Sequence, residues 1–96
     1  MKNILKDLNK AFENKVRLGI MSALVVNDSL NFNTLKKLLG VTDGNLASHI
    51  KSLEKSEYIM VQKEFIDRKP NTKYSATEEG RDALVKHIKA IEQLLK

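Results

Sequence analysis

Residues 35–54 read LKKLLGVTDGNLASHIKSLE, and the stop, turn and restart inside this stretch decide the fold. A short helix is expected over Thr34 to Leu39. Gly40 then supplies the left-handed residue that ends it, Val41 tucks inward at the turn, and Thr42 is a good N-cap for the next helix. From Asp43 onward, Leu46, Ala47, Ile50 and Leu53 make one apolar stripe. Asp43, Asn45, Ser48, His49, Lys51 and Ser52 lie mainly off it, which leaves a polar, compact outer face.

Toward the N-terminus, Leu30, Asn31 and Phe32 alternate apolar, polar, apolar and suit a very short strand leading into a helix capped by Asn33 or Thr34. Val16, Ile20, Met21, Leu24 and Val25 recur at helical spacing, as do Ile4, Leu5, Leu8 and Phe12, so two amphipathic helices are predicted. Asn14 is a plausible cap between them, with a break near Glu13 and Asn14. Toward the C-terminus, Tyr58 to Ile66 and Thr72 to Ala76 read as two strands of a hairpin joined by the loop DRKPN. Thr77 is the natural N-cap of a last helix, whose Leu84, Ile88, Ile91 and Leu95 step by four, three and four.

Ninety-six residues suit one compact domain, taken as 1–96, with a modest core and little room for a deep substrate cleft. Seventeen Lys and Arg against twelve Asp and Glu give a formal charge of +5, which points toward a polyanionic partner or, more plainly, a well solvated surface. The absence of Cys removes disulfides and thiolate metal sites and fits a reducing cytoplasm, the expected location. The N-terminal MKNILKDLNKAFENK is interrupted by charge, and the apolar stretch Ile20 to Val26 is too short to span a bilayer; no membrane association is expected.

Helix, short strand, helix, turn, helix, hairpin, helix is the order of a winged helix-turn-helix, a mainly α fold with a β-hairpin wing. The major groove of B-DNA admits one α-helix, so the second helix of the pair presents its first turns to base edges while the first crosses the backbone. On this reading Asn45 and Ser48 face bases, Asp43 serves the helix N-terminus, and His49 is either a phosphate donor or a solvated residue. Asn33, Thr34, Lys36 and Lys37 lie on the crossing helix, where a Lys meets phosphate. Arg68, Lys69 and Lys73 cluster around Pro70, where they either neutralise phosphates or simply keep an edge strand soluble.

The segments LKKLLGVTDGNLASHIKSLE and KEFIDRKPNTKYSATEEGR, within Val16 to Gly80, resemble the short MarR-like and ArsR-like winged helix transcriptional regulators. The resemblance implies a cytoplasmic homodimer binding double-stranded DNA at a palindromic operator. Its recognition helix would be Thr42 to Ser56, with Asp43, Gly44, Asn45, Ser48 and His49 toward the groove and Thr42, Lys51 and Ser52 alongside. Dimer contacts would come from the terminal helices: Ile4, Leu5, Leu8 and Phe12 at one end, Leu84, Ile88, Ile91, Leu94 and Leu95 at the other. One departure is Glu57, where relatives usually have Gly; a left-handed Glu57 would cost about 1 kcal/mol.

Other classes are less well supported. His49 and His87 lie on different helices with no thiolate nearby, so no metal or other cofactor is expected. No Ser, His and acid grouping shares a cleft, so no enzyme is expected. The competing reading is a protein-interaction adaptor on the same scaffold, and a small-molecule effector between the terminal helices and the core is left open.

Overall fold

The computed structural model describes residues 3–96; Met1 and Lys2, the start of the predicted N-terminal helix and of the 1–96 domain, lie outside the described residues. Two 3-10 turns, Ile4–Asp7 and Lys10–Phe12, precede α1 (Lys15–Val26), β1 (Leu30–Asn31), α2 (Phe32–Leu39), α3 (Asp43–Lys55), β2 (Ile59–Ile66), β3 (Lys69–Ala76) and α4 (Glu78–Leu94). The three strands form one antiparallel sheet in the order β1-β3-β2. Leu30 faces Tyr74 across β1 and β3, and Ile59 faces Ala76 across β2 and β3.

Asn14 caps α1, its side chain accepting from the Val16 and Arg17 amides. Gly40 ends α2 with φ +63°, and the Thr42 hydroxyl accepts from the Asn45 amide to start α3. These are the punctuation marks expected of the segment 35–54. Ile20, Met21, Leu24, Leu35, Leu46 and Leu53 are the largest fully buried side chains, so α1, α2 and α3 close one core over the base of the hairpin.

Five expectations change. The first amphipathic segment is two isolated 3-10 turns, because Asn9 diverts the backbone: its N–H donates to His87 Nδ1 at 2.9 Å and its side-chain amide to the Tyr58 hydroxyl at 2.9 Å. Phe12 stacks on Tyr58 and meets the His87 ring edge-on, so the apolar spacing of this segment serves docking onto α4. A run this short gains little from helix formation alone.

The cap of α2 is Asn31, whose side chain accepts from the Thr34 amide, rather than Asn33 or Thr34. The loop DRKPN is a two-residue connection. Asp67 and Arg68 both have positive φ, +51° and +66°, the signature of the type I′ turn that matches strand twist, and Lys69, Pro70 and Asn71 belong to β3. Pro70 is opposite Phe65, one step beyond the pair that closes the turn, where the alternation of the ladder asks for no N–H.

Ala47 is exposed rather than part of the α3 stripe, standing roughly 100° around the helix from Leu46. Finally, Phe12 and Leu84, each 3% exposed, belong to the chain's own core and are unavailable to a second copy.

Glu57 follows α3 in the left-handed region at φ +64°. Its carbonyl accepts from the Thr77 hydroxyl at 2.7 Å, and the Tyr58 carbonyl accepts from the Thr77 amide at 3.0 Å. The first turn of α4 is thereby tied to the end of α3. Gly80 allows this approach, since a Cβ there would overlap the Tyr58 carbonyl oxygen and sit 2.9 Å from Met21 Cε.

Candidate nucleic-acid interface

With Leu46, Ile50 and Leu53 turned into the core, α3 presents Asp43, Gly44, Asn45, Ala47, Ser48, Lys51 and Ser52 to solvent. Short polar side chains without an acidic excess can approach base edges, and the exposed Ala47 methyl adds an apolar group of the kind that meets thymine methyls. Ala47 was missed because its type matched the buried stripe; its angle around the helix was the available signal.

Asp43, in the first turn of α3, binds Lys36 Nζ of α2 at 2.7 Å. The carboxylate therefore lies at the positive helix end and pairs with the crossing helix, while the cap itself is Thr42. Lys36 is thereby paired with a carboxylate, whereas Lys37, Asn33 and Thr34 on α2 are exposed.

The hairpin has two distinct faces, fixed by register. Ile59, Val61, Lys63 and Phe65 of β2 share a face with Ala76, Tyr74, Thr72 and Pro70 of β3. This face turns toward α3: Val61, Lys63, Thr72 and Tyr74 line a groove whose other wall carries Ala47, Ile50, Lys51 and Glu54. Burial pushes the Tyr74 phenol pKa up, with the neighbouring Glu54 carboxylate adding to the effect.

On the opposite face lie Gln62, Glu64 and Ile66 with Lys73, Asn71 and Lys69. Lys73 is engaged there by Glu64 at 3.1 Å, and Asn71 donates to the same carboxylate. Those two contacts, the Lys73 hydrogen bond first, hold the Glu64 pKa below its usual value. Lys73 is thus separated from α3, and Lys63, unremarked in the sequence, takes its place. Arg68 and Lys69 remain exposed at the tip. Period-two register from the two-residue turn was the signal that distinguishes the two lysines, and it required the turn length to be known.

His49 stands at the edge of the exposed face, half-buried against α1. Its Nδ1 lies 3.2 Å from Nη1 of Arg17, whose Nε donates to the Ala11 carbonyl at 2.7 Å. Burial first, and then the guanidinium, lowers the His49 pKa.

A short crossing helix, a helix with a mainly polar outer face and a lysine-bearing hairpin beside it are now in place. Residues 16–95 match the family model described as winged helix DNA-binding domain. The chain belongs to that family. A winged helix relative in sequence is an uncharacterized protein of Methanocaldococcus jannaschii, 37% identical over 87 residues that cover 91% of this chain and 95% of that protein. Among solved structures, a transcriptional regulator homologue from Pyrococcus horikoshii superposes with a TM-score of 0.88 at 31% identity, covering 98% of this chain and 95% of that one. NadR, solved in complex with 4-hydroxyphenylacetate, shares the winged helix fold at a TM-score of 0.67 and 22% identity, over 97% of this chain and 70% of its own. The winged helix family and fold are those of transcriptional regulators.

On the far side of this winged helix, α4 carries two stripes. Gly80, Leu84, His87 and Ala90 are buried, while Val85, Ile88, Ile91, Leu94 and Leu95 remain uncovered, Leu95 at 82% exposure. Of the N-terminal dimer candidates, Leu5 is exposed and Ile4 and Leu8 are half-buried. Among the described residues no helix is long and apolar enough to cross a membrane.

Proposed function

We propose that this protein binds double-stranded DNA in a sequence-dependent way as a homodimer of the MarR- or ArsR-type and regulates transcription, by repression through occlusion of a promoter. The observation that carries this reading is the outward polar face of α3, from Asp43 to Ser52, beside Lys63 of a hairpin whose exposed tip carries Arg68 and Lys69. Asn45, Ser48 and Ala47 read bases in the major groove, with Thr42, Gly44 and Ser52 close to its walls. Lys51, Lys63, Arg68 and Lys69 neutralise phosphates on either side, and Asn33, Thr34 and Lys37 contact the backbone crossed by α2.

The uncovered stripe of α4, Val85, Ile88, Ile91, Leu94 and Leu95, supports the dimer, since so continuous an apolar edge is costly to leave in water. Work proceeds in the cytoplasm, where the DNA is. A small-molecule effector fits the groove of about 630 Å³ between the first 3-10 turn and α4, which is lined by Ile4, Asp7, Val85, Lys86 and others; NadR, solved with an aromatic acid, supports such control.

Selection of bound duplexes from a random pool tests DNA binding, sequence preference and half-site spacing together. Enrichment of a palindrome with half-sites about one helical turn apart is expected. Absence of binding by the purified protein at low salt would overturn the reading.

A further inference from the structure

We propose that Arg17 is a positioning residue that locks His49 as the Nε2–H tautomer, making His49 a fixed neutral donor to a DNA phosphate. The inference rests on the DNA-binding reading above.

A guanidinium has donors and no acceptor, so the 3.2 Å contact from Arg17 Nη1 requires an unprotonated Nδ1 on His49. The ring proton then sits on Nε2. Arg17 is itself held, because its Nε donates to the Ala11 carbonyl at 2.7 Å and its backbone N–H to the Asn14 cap at 3.1 Å. Two further observations point Nε2 toward a ligand. It has no protein partner among the described residues, and His49 shares its side of α3 with the exposed Asn45 and Ser52, roughly 40° and 60° away in helical angle respectively.

That edge lies between the base-reading face and α1, where a helix seated in the major groove meets the sugar-phosphate wall. A neutral N–H suits a phosphate oxygen, and one fixed in advance loses no tautomer freedom on binding. The imidazole is therefore aimed from behind by α1 and the second 3-10 turn, two elements outside the helix-turn-helix pair.

The test uses the full chain with Arg17→Met, His49→Gln and the double variant, each checked for an unchanged fold by its melting temperature. Long-range proton–nitrogen NMR of the free protein should report a protonated Nε2 and bare Nδ1 on His49, with the two tautomers mixing in R17M. On a selected duplex, R17M should bind on the order of fivefold to tenfold more weakly, the loss of one well-aligned donor. The Gln amide nitrogen reaches the position of Nε2 without needing a tautomer, so H49Q should keep affinity within about twofold, a small fraction of one hydrogen bond. In the H49Q background R17M should then add no further loss.

An Nδ1–H tautomer in the wild type, or the same R17M loss with Gln at position 49, overturns the proposal while DNA binding by the wild type still stands. Failure of the wild type to bind any duplex overturns the DNA reading itself and is seen in a separate arm.

Discussion

Lys73 Nζ sits 3.1 Å from Glu64 Oε1 on the hairpin face turned away from α3, while Lys63, on the neighbouring strand, occupies the near face. Two lysines of one hairpin thus have different expected roles. Lys63→Ala should weaken DNA binding and lower the slope of log affinity against log salt by about 0.9, the share of one phosphate contact. Lys73→Ala should leave that slope unchanged. Titrations at several salt concentrations check both, and equal effects would place both faces on DNA.

Arg68 holds φ +66° at the second position of a type I′ turn, where Gly is the favoured residue. A non-glycine residue in the left-handed region costs roughly 1 kcal/mol. Arg68→Gly should therefore stabilise the fold by a few tenths to about 1 kcal/mol in chemical denaturation, the gain being reduced by the entropy of Gly in the unfolded chain. The same change should weaken DNA binding and flatten its salt dependence. Strain retained at a contact residue is the expected signature of use.

The lowered pKa of His49 links stability to pH. In the unfolded chain the ring titrates near its ordinary value of about 6.5, whereas burial and then Arg17 resist its protonation in the fold. As pH falls below that value the unfolded state takes up a proton that the folded state does not. The contribution is full above it and is lost on the way down through the folded pKa. Melting temperature should accordingly fall more between pH 7.5 and pH 5 for the wild type than for His49→Gln, and parallel curves would refute this.

On α4, Ile91 belongs to the uncovered stripe and Leu84 to the core. Ile91→Glu should produce a folded monomer with weakened operator binding, read by sedimentation and by titration. Leu84→Ala should destabilise the fold by about 2–5 kcal/mol, as truncation of a buried leucine does. A dimer surviving Ile91→Glu and a second charge at Leu94 would move the interface elsewhere.

The residues that end and begin helices were the most legible part of the sequence. Gly40, Thr42, Asn14 and Thr77 each act locally, through a φ angle or a side-chain oxygen close to the amide it serves, so neighbouring residues alone determine them. Glu57 was legible in the same way, as a residue where a left-handed turn was due.

What escaped depends on contacts distant in the chain. Asn9 breaks a helical pattern because His87 and Tyr58, 78 and 49 residues away, claim its groups. Phe12 and Leu84 share the apolar character of an interface, and only packing assigns them to the core. Lys63 and Lys73 differ by strand register, which hangs on whether the turn holds two residues or five. Arg17 carries no sequence mark of its reach to His49 across 32 positions.

Gly80 brings the start of α4 against the carbonyl of Tyr58, which ties the proposed recognition helix closely to the proposed dimer helix. In the proposed dimer the pair of protomers would behave as a caliper with a stiff hinge. An operator with one extra base pair at its centre would ask each jaw to follow a shift of roughly 3.4 Å and a rotation of roughly 34°, and a joint this tight absorbs little of either.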